Sequence, residues 1–194
     1  MSMIDFEKEV AGLKDIGFNL IPDVVKISIP NAKAALWECI RYCIGNKAQW
    51  QPEYDDIVRW LSDNEGKGLL CIGNCGRGKT LICGKVIPVL FSACCRKMVS
   101  CYDAQQMNAN IDAVKQKHII CIDDIGTESL SVKYGEKRMT FPELVDEAEK
   151  KGKLLIITTN LSLSEIKEKY GERTLDRLRA ITTPVVFKGE SLRK

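Results

Sequence analysis

The sequence predicts an α/β fold: a parallel sheet of about five strands sandwiched between helices. Two observations predict it. Short continuous apolar runs alternate with helical stretches from residue 69 onward, and a glycine-rich loop directly follows the first run. Buried strands of a parallel sheet read as unbroken apolar runs because helices cover both faces.

The runs are Leu69 to Ile72, Met98 to Tyr102, Ile119 to Ile122, Leu154 to Ile157 and Val185 to Phe187. Gly, Asp, Asn or Pro bounds them. Strand–helix alternation of this kind implies right-handed crossovers. Ahead of the sheet, Phe6, Val10 and Leu13 recur at helical spacing. Gly17 to Pro30 holds two prolines and several β-branched residues and reads as extended. Asn31 is placed to cap a helix whose stripe includes Leu36, Cys39, Ile40, Cys43 and Ile44, and Gly45 stops it. A further helix is expected from Pro52, with Tyr54, Ile57, Val58 and Leu61 on its inner face. Asn64 to Gly68 reads as a turn. The expected division is an N-terminal helical extension, residues 1–64, and a core, residues 65–194.

Hydrophobic residues make up 45% and charged residues 28%, which fits a globular domain able to bury its own core. A net charge of +3 excludes a broadly basic nucleic-acid surface, so any DNA contact must be a local patch. The patches on offer are Lys150, Lys151 and Lys153, and the basic residues around Tyr134. No apolar run is long enough to span a bilayer, and Met1 to Val10, with Asp5, Glu7 and Glu9, is not a signal peptide. A cytoplasmic protein without membrane contact is expected. The nine scattered cysteines lack the spacing of a disulfide framework or a zinc site, and most should be buried thiols.

The loop after the first run reads Gly73-Asn74-Cys75-Gly76-Arg77-Gly78-Lys79-Thr80, a complete P-loop pattern. Its glycines let the backbone wrap closely around phosphates, and the helix starting near Lys79 adds its positive dipole end. Lys79 is expected to reach the β and γ phosphates, and the Thr80 hydroxyl to ligate Mg²⁺. Residues Gly73 to Leu81 form the expected ATP-binding segment. Within the helix that follows, Pro88 removes a hydrogen bond to Gly84 and should kink or end it.

The third run ends in two acids, Asp123 and Asp124, and strand ends in such sheets open onto the ligand crevice. Asp123 is expected to hold the magnesium, and Asp124 to orient or deprotonate the attacking water. Aspartate is one methylene shorter than the glutamate usual at the second position, which points to weak intrinsic hydrolysis.

Four blocks together resemble the AAA+ ATPases, specifically the DnaC-type helicase loaders and IstB-like transposition helpers. They are the P-loop, Cys121 to Gly126, Ile156 to Asn160, and Gly171 to Leu178. The resemblance spans Leu69 to the last residues and implies an AAA+ core without a large C-terminal lid. It implies that Asn160 is the sensor contacting the γ-phosphate or water. It implies that Arg177 is an arginine finger reaching a neighbouring subunit of a homo-oligomer, with Arg173 assisting. The partners it implies are a replicative helicase or a transposase, and single-stranded DNA. Two other readings stay open: a nucleotide-gated binding module with negligible catalysis, and a small-molecule kinase on the same scaffold.

Overall fold

Each apolar run becomes a strand. β1 is Gly68–Gly73, β2 Ser100–Asp103 and β3 Ile119–Ile125. A short antiparallel pair that the sequence did not announce follows, β4 (Ser131–Lys133) and β5 (Glu136–Arg138). β6 is Leu154–Thr159 and β7 Thr182–Phe187. These belong to a computed structural model that describes residues 5–15, 23–128, 131–133 and 136–192. The large sheet has five strands in the order β2-β3-β6-β1-β7, and every pairing in it is parallel. The expected fold class is therefore the observed one. Met98, expected in the second strand, lies outside it and is exposed. The chain there is still leaving a helix through Arg96, which holds a left-handed φ of 52°.

The helices are α1 (Phe6–Asp15), α2 (Ala32–Ile44) and α3 (Tyr54–Ser62). After the P-loop come α4 (Lys79–Leu81), a π-helical stretch Ile82–Val86, and α5 (Ile87–Cys95). Then follow α6 (Ala104–Ala109), α7 (Ile111–Val114), α8 (Thr140–Lys151), α9 (Leu163–Tyr170) and α10 (Glu172–Ile181). Pro88 does not end the helix. It falls in the first turn of α5, where a missing N–H is harmless, and the π stretch just before it takes up the change of register. Asn31 stands at the start of α2 as expected, but in a left-handed conformation and without a side-chain cap; its carbonyl accepts from the Ala35 N–H instead. Pro52 forms the turn before α3, its carbonyl accepting from the Asp55 N–H, so the helix begins two residues late.

Strand periodicity sends alternate residues to opposite faces, and two cores result. Leu69, Cys71, Cys121 and Ile156 pack with Ile27, Leu36, Ile40, Ile57, Phe91 and their neighbours on one face. Leu70, Ile120 and Leu155 pack with Met107, Phe141, Leu144, Ile166 and Leu175 on the other. All six residues of β6 are buried, as a central strand covered on both faces requires.

The start of the segment expected to be extended lies outside the described residues up to position 22. From 23 it runs as a strap without a sheet partner, and Asn64 fastens it. That side chain is 1% exposed. Its Oδ1 accepts from the Ile27 N–H at 2.7 Å, and its Nδ2 donates to the Val25 and Lys67 carbonyls. An Asn64→Ala variant strands those groups and should lose about 1–3 kcal/mol of stability. Urea denaturation checks this; a loss within about 0.5 kcal/mol would mean water replaces the amide.

Candidate functional site

At the carboxyl end of β1 the chain turns through glycines with positive φ: Gly73 at 150°, Gly76 at 81° and Gly78 at 88°. At Gly76 no side chain fits, since a Cβ would collide with Ser191 Oγ. Backbone of this kind forms an anion-accepting concavity. Lys79 is 6% exposed. Its ammonium donates to the carbonyls of Gly73 (2.5 Å) and Asn74 (2.9 Å) and to Asn160 Oδ1 (2.9 Å). Burial pulls its pKa below the usual lysine value, outweighing the nearby carboxylates Asp124 and Asp123.

The acids at the end of β3 sit on a bulge. The β3–β6 register shifts between Ile122 and Ile125, and Asp124 takes a left-handed φ of 59°. Such a conformation costs a non-glycine residue about 1–3 kcal/mol and persists where surrounding contacts impose it. Those contacts are present. The Asp124 N–H donates to Thr158 Oγ1 at 2.8 Å, and Asn160 Nδ2 donates to Asp124 Oδ1 at 2.6 Å. Thr80 Oγ1 lies 3.0 Å from both Asp123 oxygens, and Thr158 Oγ1 donates to Asp123 Oδ1 at 2.6 Å. Without the bulge, alternation would send the two carboxylates to opposite faces.

The structure thus joins Lys79, Thr80, Asp123, Asp124 and Asn160 in one network. The hydroxyl and carboxylate of Thr80 and Asp123 are the oxygen donors that suit Mg²⁺, and the glycine turn with its ammonium suits a triphosphate. Asn74 and Cys75 are exposed on the loop, and Leu81 packs against the core behind it.

Arg77 behaves differently. Its guanidinium turns into the protein, where Nη2 lies 2.7 Å from Glu53 Oε1 and 3.4 Å from Gln51 Oε1. Nη1 donates to the Glu190 carbonyl at 3.2 Å. Glu53 Oε1 also accepts from the Lys188 N–H at 3.1 Å. The Arg77 side chain braces the loop from behind. Arg177 is likewise held within its own chain, by Asp146 and by Glu149, the latter at 2.9 Å from Nε. Arg173 reaches Asp146 at 3.7 Å and is mostly exposed.

Among the lysines proposed for DNA, Lys153 is buried and donates to the carbonyls of Lys115 and Lys117, at 2.8 and 3.0 Å. It is no surface contact, because the strand that follows it, β6, runs straight into the sheet. Lys151 pairs with Glu147 at 2.8 Å, while Lys150 is exposed. Tyr134 lies outside the described residues. Sequence reasoning missed Glu53 and Thr158. Polar residues at the end of a fully apolar strand were the available signal for Thr158; nothing local marks Glu53.

A five-stranded parallel sheet with a P-loop after its interior strand β1 and an acidic bulge on β3 defines a P-loop NTPase. Residues 51–188 match the family described as Novel STAND NTPase 3, and the chain belongs to that family. Solved structures share the fold. The DnaC helicase loader superposes with a TM-score of 0.54 at 20% identity, over 83% of this chain and 93% of that one. DnaI does so with a TM-score of 0.52 at 18% identity, over 80% and 83%. AMPPCP-bound DnaA from Aquifex aeolicus gives 0.54 at 12% identity, over 74% and 49%. No curated protein matched by sequence. Among the described residues, no helix is long and apolar enough to cross a membrane.

Proposed function

We propose that this chain is an ATP-hydrolysing switch of the helicase-loader kind, which grips its partner with ATP bound and releases it on hydrolysis. The observation that supports it is the linked pair of contacts Lys79–Asn160–Asp124 and Thr80–Asp123–Thr158. Phosphate, metal and water positions of an NTPase fall within reach of one another there. The loop amides and Lys79 hold the β and γ phosphates. Thr80 and Asp123 would hold magnesium, which would supply charge neutralisation at the phosphate oxygens. Asp124 orients the attacking water and takes its proton, and Asn160 fixes that carboxylate.

The fold shared with the DnaC helicase loader and DnaI supports a replicative helicase as the partner, and AMPPCP in DnaA supports a nucleoside triphosphate as ligand. Single-stranded DNA belongs to the same reading. In an assembly, Arg177 exchanges Asp146 and Glu149 for the γ-phosphate of a neighbouring copy, with exposed Arg173 beside it.

An Asp124→Asn variant tests the reading. It keeps an oxygen for Asn160 but cannot accept a proton. ATP affinity by calorimetry should stay near that of the parent while phosphate release falls about 100-fold or more. Parental turnover in the variant, or no heat from the parent with any nucleoside triphosphate, would sink the proposal.

A further inference from the structure

One edge of the sheet carries a pair of thiols that the nucleotide site does not use. Cys101 in β2 and Cys121 in β3 are direct register partners on adjacent parallel strands. Residues paired in this way present their side chains on the same face. Neighbouring strands lie about 4.8 Å apart, and a disulfide closes across Cα separations of about 4.4–6.8 Å. Exposure divides the pair: Cys101 is open to solvent, while Cys121 is 1% exposed.

We propose that Cys101 is an oxidation site for hydrogen peroxide, with Cys121 as the resolving thiol. The Cys101 thiolate attacks one peroxide oxygen. The O–O bond breaks, hydroxide leaves and takes a proton as water, and Cys101 becomes a sulfenic acid. The Cys121 sulfur then attacks the Cys101 sulfur. The S–O bond breaks, a second water leaves with the Cys121 proton, and a disulfide remains. Two thiols have given up two electrons and the peroxide has taken them.

The pair reaches the nucleotide machinery by two routes. Cys121 precedes Asp123 by two residues on β3. Its Sγ–H donates to the Cys83 carbonyl at 3.3 Å, inside the π stretch that follows Thr80. The disulfide removes that donor and draws β2 towards β3 beside Asp123. This effect on turnover rests on the ATPase reading above; the thiol chemistry does not.

The test treats the full chain with hydrogen peroxide and maps its peptides by mass spectrometry. A Cys101–Cys121 link is expected, with loss of two hydrogens, reversed by a dithiol. Cys101→Ser should form no link, and Cys121→Ala should stop at a dimedone-reactive sulfenic acid on Cys101. ATP turnover of the oxidised parent should fall about 10-fold or more, and that of peroxide-treated Cys101→Ser should not. Oxidation confined to exposed Cys75 or Cys94, with Cys101 still a free thiol, would overturn the assignment. The mapping needs no nucleotide, so a chain that hydrolyses nothing still decides it.

Discussion

A Glu53→Ala variant should lose about 3–5 kcal/mol of folding stability. The carboxylate and its Arg77 partner are 5% and 9% exposed by side chain and 2.7 Å apart. Removing Glu53 leaves a buried guanidinium with one neutral carbonyl at 3.2 Å and a long contact to Gln51. It also strands the Lys188 N–H. Denaturant unfolding measures the loss. The double variant Glu53→Ala/Arg77→Met should recover much of it, because the uncompensated charge causes the damage. A single variant within about 1 kcal/mol of the parent would show that water reaches the pair.

Lys79→Ala should have the opposite profile: unchanged or slightly raised stability, and nucleotide turnover lower by about 100- to 1000-fold. Its ammonium is buried, and burial has already lowered its pKa, so holding the charge there costs stability. Removing it relieves that cost, although two loop carbonyls and Asn160 lose a donor. Thermal unfolding and phosphate release on one preparation separate the two effects. Loss of stability on the scale of the Glu53 variant would make Lys79 a structural residue. Turnover within a few-fold of the parent would remove it from the catalytic account.

The contrast between these residues shows what the sequence could reveal. The strands were legible because residues covered on both faces must be apolar without interruption, as Leu154 to Ile157 are. The loop was legible because its backbone path admits few residue types. Thr80 and Asp123 followed from the motif, and the structure brings them together. Arg77 lies in the expected ATP-binding segment, but a motif carries no direction for its variable positions, and its side chain turns inward. Its partner lies 24 residues upstream, and the packing of α3 against β7 brings them together. Lys153 shows a related limit: a lysine beside two others resembles a solvated patch until the strand that follows it is seen to enter the sheet. Asn64 looked like an ordinary turn residue. Its burial depends on the strap at Val25 and Ile27, whose apolar residues gave no sign of what they would cover.

The tail after β7 crosses the phosphate loop. The Leu192 N–H donates to the Gly76 carbonyl at 2.9 Å, and Glu190 gives its own carbonyl to Arg77. Tension applied at Leu192 would therefore load the triphosphate cradle first. The six-residue register of β7 against β1 would resist shear only afterwards. A pull at Leu192 is thus transmitted mechanically to the cradle by one amide and one guanidinium.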